Sequence, residues 1–261
     1  MRRTHIYRLP VLAILFTVGC DQATAEKQTD SDSQTTQATS PLEQFQKNQT
    51  AVIEWYMREH QTRKVQLGAG QSRLVGWLNT DIEPGYGLAY LDATKPFPFE
   101  DDSVHYIFSE HVIEHLTYDE GKAMMAEAHR VLAPGGKMRI STPNLARFIE
   151  LFDKTPSEEA KAYLVGKRKW HRWPDEPNAA AIILNLQMSS WGHKFMYDVG
   201  TLSAALQRVG FRNVREFEED ISTDEHLRDL EERDSGVNGP FSDYETMSVE
   251  AEKPRISTTT R

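Results

Sequence analysis

The sequence predicts an α/β fold built on a parallel sheet, and two observations predict it. Four short apolar runs follow one another in the first half of the chain: Lys64–Leu67, Gly76–Leu78, Leu88–Leu91 and Val104–Phe108. Each ends in residues suited to a ligand rather than to a core. The first closes on Gly68-Ala69-Gly70, the second runs into Asn79-Thr80-Asp81, the third into Asp92, and the fourth into Ser109-Glu110-His111. Glycine accepts positive φ and lets a ligand come close to the backbone. In open α/β sheets ligands bind beyond the carboxyl ends of the strands, where this glycine turn and these acids would gather.

The remaining elements can be justified in order. Pro41 opens a helical pattern in which Leu42, Phe45, Val52, Ile53 and Tyr56 share one face, ending near His60. The links after the first two strands are short, whereas a parallel crossover normally takes a dozen or more residues and a helix. The usual helices are therefore absent there, and one sheet face would lie bare near the ligand, with the 42–60 helix helping to cover it. A dinucleotide-binding unit of the NAD type is disfavoured, because Arg73 stands where its third glycine belongs and Asp81 comes too soon. After the fourth strand, Thr117 and Glu120 form a capping box for a helix that buries Met124, Met125, Ala128, Val131 and Leu132. Pro134-Gly135-Gly136 is expected to end that helix, with the fifth strand over Lys137–Thr142. Helices are expected over 145–152, 157–170, 179–191 and 198–209, and the last two strands over 213–218 and 246–253. The acidic stretch between those strands reads as a loop with a short helix over 224–232, and the tail 254–261 as disordered.

The stretches V-Q-L-G-A-G, G-W-L-N-T-D-I, D-A-T-K-P-F-P-F-E-D-D-S-V, I-F-S-E-H-V-I-E-H-L, E-A-H-R-V-L-A-P-G-G-K-M-R-I-S-T-P-N and W-G-H-K-F-M-Y-D run in one order through residues 63–253. Together they resemble the class I S-adenosylmethionine (SAM) dependent methyltransferases, in the small branch near the methyltransferase type 11 domain. The resemblance implies a Rossmann-like sheet of strand order 3-2-1-4-5-7-6, with a helical insertion (144–191) after the fifth strand that shapes the acceptor pocket.

It also implies a cofactor site, position by position. Leu67, Gly68, Ala69 and Gly70 would line the methionine end of SAM, Asp81 would accept the ribose hydroxyls, and Ile82 would pack on adenine. Asp92 and Ala93 would sit at the adenine edge, with Ser109, Glu110 and His111 beneath the methyl donor. Gln66 and Ser72 depart from the family, replacing a frequent acid and a frequent third glycine. Methyl transfer is an in-line displacement, so alignment dominates, and a base is needed only where the acceptor must lose a proton. His111 is the best base candidate. Trp170, Trp173, His171, His115, Trp191 and His193 are pocket candidates, for which plain helix packing is an equal alternative. His111-Val-Ile-Glu114-His115 also matches an inverted zinc-protease pattern, in which a helix would bring His111 and His115 to one ion. A satisfied structural His115 is the favoured alternative, and no tightly bound metal is expected.

The chain of 261 residues carries a net charge of −9, which disfavours a general nucleic-acid partner. Lys167-Arg168-Lys169 with Arg172 reads as a solvated helix end rather than a phosphate site. Nothing in the pattern predicts a stable protein partner, and the methyl acceptor is not legible beyond a small molecule or an envelope-related compound. At the N-terminus, Arg2, Arg3 and Arg8 precede an apolar run, Val11–Val18, that is too short to span a bilayer. Gly19 and Cys20, the sole cysteine, close it. Residues 1–20 resemble a bacterial lipoprotein signal lipidated at Cys20, with Asp21 favouring the inner membrane. Residues 21–40, polar and without large apolar side chains, read as a disordered tether. Because SAM is made in the cytosol, an exported domain raises a second reading, a membrane-anchored binding module that has lost methyl transfer, with a cytoplasmic enzyme as the third.

Overall fold

The computed structural model describes residues 40–83, 85–231 and 241–255. The expected signal and most of the expected tether, including Cys20, lie outside the described residues, as do residues 256–261. Ser40, assigned above to the tether, belongs to the domain. It caps helix α1 (Pro41–Glu59) in a full capping box with Glu43, where the two backbone N–H groups and two side chains satisfy each other.

Seven strands form one sheet: β1 (Lys64–Leu67), β2 (Leu78–Asp81), β3 (Ala89–Tyr90), β4 (Val104–Glu110), β5 (Leu132–Pro143), β6 (Arg212–Phe217) and β7 (Thr246–Glu252). Their order is β3-β2-β1-β4-β5-β7-β6, with β1 to β5 parallel and β7 antiparallel to both neighbours. Among the described residues no helix intervenes between β1 and β2 or between β2 and β3. In place of the first missing helix, the Asn79 amide holds Leu74 N–H, Leu74 C=O and Trp77 C=O. The Arg73 guanidinium ties this loop to the next through the carbonyls of Gly70, Ser72 and Tyr86.

The two faces of the sheet are chemically different. Side chains alternate along a strand, and register extends one row across neighbours. The row Val65, Ile107, Met138, Ala251 faces one way. It is buried under α2 (Tyr118–Val131) and α6 (Val199–Arg208), and Ile53 and Tyr56 of α1 join the same apolar cluster. The row Gln66, Phe108, Arg139, Glu250 faces the other way. It is covered by an irregular segment, residues 218–231, whose Leu227 and Leu230 pack on Trp77 and Phe108. Ion pairs fix that segment: Arg139, fully buried, bonds Glu231 at 2.6 Å and Glu250 at 2.8 Å, and Lys137 bonds Asp224 at 2.8 Å.

Four expectations are corrected here. The covering role given to α1 is shared, since residues 218–231 cover the second face. That segment is built of turns and bends, with no helix over 224–231: its own backbone bonds are isolated turn closures such as Leu227 N–H to Asp224 C=O, and Arg139 donates to the carbonyls of Glu218 and Ile221. Pro134-Gly135-Gly136 does not end a helix; α2 stops at Val131 and β5 begins at Leu132, with a register shift before Tyr106 and Lys137. Val52 lies on the solvent side of α1. The insertion forms α3 (Leu145–Glu150), α4 (Glu158–Trp170) and α5 (Ala179–Ser189), and a short α7 (Ser242–Glu245) precedes β7. Among the described residues no helix is long and apolar enough to cross a membrane.

Candidate active site at the carboxyl edge of the sheet

The turn after β1 is left-handed at both glycines, with φ of 61° at Gly68 and 53° at Gly70. It is closed from two sides. Ala69 N–H donates to Thr80 C=O at 2.8 Å, and Gly70 N–H donates to the Asp81 carboxylate at 2.8 Å. The second Asp81 oxygen accepts Glu83 N–H at 2.9 Å. Each carboxylate oxygen retains a second lone pair. Leu67 and Ala69 are buried, Gly70 is exposed, and Ile82, 53% exposed, stands beside Asp81. Asp92 accepts both the N–H and the hydroxyl of Thr94, which sets the turn after β3, and Ala93 packs at the margin of the core.

Across the turn, β4 delivers Ser109, Glu110 and His111. His111 has a φ of 50°, uncommon for a residue with a side chain, and its N–H is held by Ser141 C=O at 2.9 Å. Its Nδ1 lies 2.9 Å from Glu114, whose other oxygen accepts the Thr142 hydroxyl at 3.0 Å. Glu114 is fully buried. Burial opposes charge on both members of this pair, yet each favours the charged form of the other. The hydrogen bond and charge of Glu114, aided by Glu110 and Glu219, raise the His111 pKa above its ordinary value, and His111 lowers that of Glu114. The inverted zinc-protease arrangement is not formed. Only Ile113–His115 is helical, as a single 3-10 turn, and the left-handed His111 precedes it.

His115 instead meets His193, the rings 4.9 Å apart and nearly perpendicular. Burial lowers the His115 pKa. The loop carrying His193 docks on the 3-10 turn, with Lys194 N–H and Phe195 N–H both donating to Glu114 C=O. Sequence reasoning named His115, Trp191 and His193 as pocket candidates; the direct contact of the two histidines, 78 residues apart, follows from the docked loop with its left-handed pair, Trp191 and Gly192, and carried no signal in the sequence. Trp191 lies 5.7 Å from His193 and is 67% exposed; Trp170 is 61% exposed, and Trp173 stacks on His171 at 4.3 Å. None of these aromatic residues lines a cavity of about 910 Å3 between the insertion and β6, whose walls include Asn144, Arg147, Tyr163, Phe241 and Tyr244. The basic helix end is partly structural, since Lys167 pairs with Glu245.

Four buried polar atoms at or beside this edge have no hydrogen-bond partner: Gln66 Oε1, Ser72 Oγ, Ser109 Oγ and His111 Nε2. Buried polar atoms are rarely left so, and their concentration around one turn fits a polar ligand.

A protein-family model described as "Methyltransferase domain" matches residues 65–140. The match runs from β1 into β5 and so includes the glycine turn, the strand-end acids and the His111–His115 stretch. The fold is the Rossmann-like class I methyltransferase sheet. Among solved structures, the chain is similar to a SAM dependent methyltransferase from Archaeoglobus fulgidus, at 15% identity over 81% of this chain and 94% of that one, with a TM-score of 0.44. It is also similar to a SAM dependent methyltransferase from Mesorhizobium loti (18% identity, 73% and 90%, TM-score 0.44). A third similar structure is a Haemonchus contortus phosphoethanolamine N-methyltransferase (17%, 80% and 53%, TM-score 0.40). No curated protein matches the sequence.

Proposed function

We propose that the protein is a SAM-dependent methyltransferase. The observation that carries this reading is the left-handed Gly68-Ala69-Gly70 turn clasped by Asp81 at the carboxyl ends of β1 and β2, inside the matched methyltransferase segment. Bound SAM would supply a methyl group on a sulfonium sulfur. The residues present fit it. Leu67 to Gly70 offer backbone at the methionine end, and the free lone pairs of Asp81 suit ribose hydroxyls. Ile82 offers an exposed apolar surface for adenine beside Asp92 and Ala93. The unpartnered Ser109 Oγ and Ser72 Oγ offer hydrogen bonds, and Glu110 offers charge toward a cation.

For an acceptor that must lose a proton, His111 in its neutral form is the base, and the raised pKa strengthens it as a proton acceptor once it has lost its own. Its Nδ1 side is fixed by Glu114, which is itself fixed by Thr142, leaving Nε2 to meet the proton. This nucleophile–base–orienter logic needs geometry more than sequence proximity. His115, Trp191 and His193 would border the acceptor. The test is calorimetric titration of the protein with SAM and with its demethylated product. Micromolar binding of either, weakened by Asp81→Ala, supports the reading; no heat from either removes it.

The N-terminal signal is part of the proposal. Cys20 is lipidated, residues 21–39 separate the domain from the bilayer, and the protein fractionates with bacterial membranes, the inner membrane favoured by Asp21. One acyl chain anchors only marginally, so full lipoprotein processing is required. Metabolic labelling with a lipid precursor decides it: label in the wild type that is lost in Cys20→Ser supports the anchor, and soluble, unlabelled wild type starting at Met1 removes it.

A further inference from the structure

We infer that Glu114, His115 and His193 form a binding site for one divalent transition-metal ion. One potential ligand atom from each lies within 4.8 Å of the other two. Two imidazoles and one carboxylate make a donor set that suits zinc or a neighbouring first-row metal, and three protein ligands leave further positions open.

The surroundings of the ligands carry the inference beyond proximity. A metal-binding histidine characteristically donates its other ring N–H to a carbonyl or carboxylate, which fixes the tautomer and the ring plane. His193 is held in that way: its Nδ1 lies 2.5 Å from Gln187 C=O, which keeps Nε2 for an ion. The His115 ring stands edge-on to it, the ring centroids 4.9 Å apart. Glu114 is held by His111 and Thr142, one per oxygen, and each oxygen has a second lone pair. The loop that brings His193 across is fixed by the paired bonds of Lys194 and Phe195 to Glu114 C=O, and it passes through Trp191 at φ 55°. A left-handed tryptophan costs free energy, and such outliers collect at ligand sites. Both histidines are partly exposed, so an ion could reach them from solvent.

The chemical use of the ion rests on the methyltransferase reading; the site does not. A metal-bound hydroxyl is more acidic than a free one. An ion here would hold an oxygen acceptor beside His111 and ease loss of its proton, which assigns the substrate class as an alcohol or phenol able to coordinate a metal.

The test uses the full-length protein stripped of metal, titrated with Zn2+ in competition with a chromophoric chelator and with Co2+ for its visible ligand-field bands. The expected result is one ion per chain, with Zn2+ affinity falling by about 100-fold in His193→Ala and in His115→Ala, and unchanged in His226→Ala, whose ring packs on Tyr106 within the 218–231 cover and is no part of the cluster. Because Glu114 is buried and its replacement endangers folding, the two half-exposed histidines decide the matter, each variant first shown to keep the wild-type circular dichroism. Absence of Zn2+ binding, or binding indifferent to both variants, overturns the site. SAM titration of the same samples separates the two ideas. SAM binding without Zn2+ binding removes the metal and leaves the methyltransferase reading, whereas Zn2+ binding without SAM binding upholds the metal and removes that reading.

Discussion

Gly68 and Val112 are interlocked: a Cβ built at position 68 would stand 2.3 Å from Val112 Cγ2. The turn that would receive the cofactor is thus pressed against the first residue after His111, so its shape and the placement of His111 are coupled. Gly68→Ala should destabilise the protein by roughly 2–4 kcal/mol, from the left-handed conformation and the clash together. Val112→Ala should relieve the steric part alone. In chemical denaturation, Gly68→Ala should cost less in the Val112→Ala background than in the wild type, by about 1 kcal/mol. Strict additivity would mean that the two residues do not touch.

Asp81 clasps the glycine turn through Gly70 N–H and, on the proposed reading, would also accept the ribose hydroxyls. Asp81→Asn keeps an oxygen that can accept Gly70 N–H but loses the charge-assisted acceptor for ribose. We expect SAM affinity to fall by roughly 1–3 kcal/mol with little change in thermal stability. Equal affinity in titration would place the ribose elsewhere.

Tyr56 joins α1 to the sheet. Its hydroxyl donates toward the carbonyls of Lys64 and Gly76, at 2.8 and 3.0 Å, and accepts Lys64 N–H at 2.9 Å. Tyr56→Phe leaves these backbone groups short of a partner in a half-buried place. A loss of about 1–3 kcal/mol in urea unfolding is expected. An unchanged midpoint would reduce α1 to a passenger.

The segment 218–231 should loosen in acid. Burial opposes the charge of Asp224 and of Glu231, yet Lys137 and Arg139 respectively hold both pKa values below the ordinary carboxylate range. A depressed folded pKa contributes stability that is present above the unfolded value and is lost as pH falls through the folded one. Stability should therefore hold down to about pH 4 and decline below it. Trp77, buried with Leu227 and Leu230, is the reporter. Its emission should shift to the red below pH 4 before the far-ultraviolet signal is lost. Coincident transitions would mean that the cover and the sheet come apart as one unit.

Much of the fold was legible because it rests on local chemistry. The Thr117 and Glu120 capping box, the strand-end acids and the missing links after β1 and β2 are all spelled in consecutive residues, and each is found where expected. What could not be read depends on distant partners. The polar face of the sheet shows in sequence as Lys137 and Arg139 inside a strand, which suggests exposure; only Asp224 and Glu231 turn that face into an interior. Likewise the His111-to-His115 spacing suggested one helical face, whereas the left-handed turn at His111 sends the two histidines to different neighbours, Glu114 and His193. Val52 followed the helical period yet faces solvent, since one apolar residue more than the contact needs cannot be told from periodicity alone.

The cover over Phe108 also orders events during synthesis. Arg139 must wait for Glu231, 92 residues later, and Tyr106 for Asp224, 118 residues later. Closing such long loops is slow, and a ribosome adds residues at about 5–20 per second. Until the segment before β7 emerges, a nascent chain that already holds β1 to β5 shows Phe108, Trp77 and an unpaired Arg139 to its surroundings. The second half of the protein thus acts toward the first as a built-in chaperone, and truncation anywhere before residue 231 should yield chains that aggregate rather than a smaller folded domain.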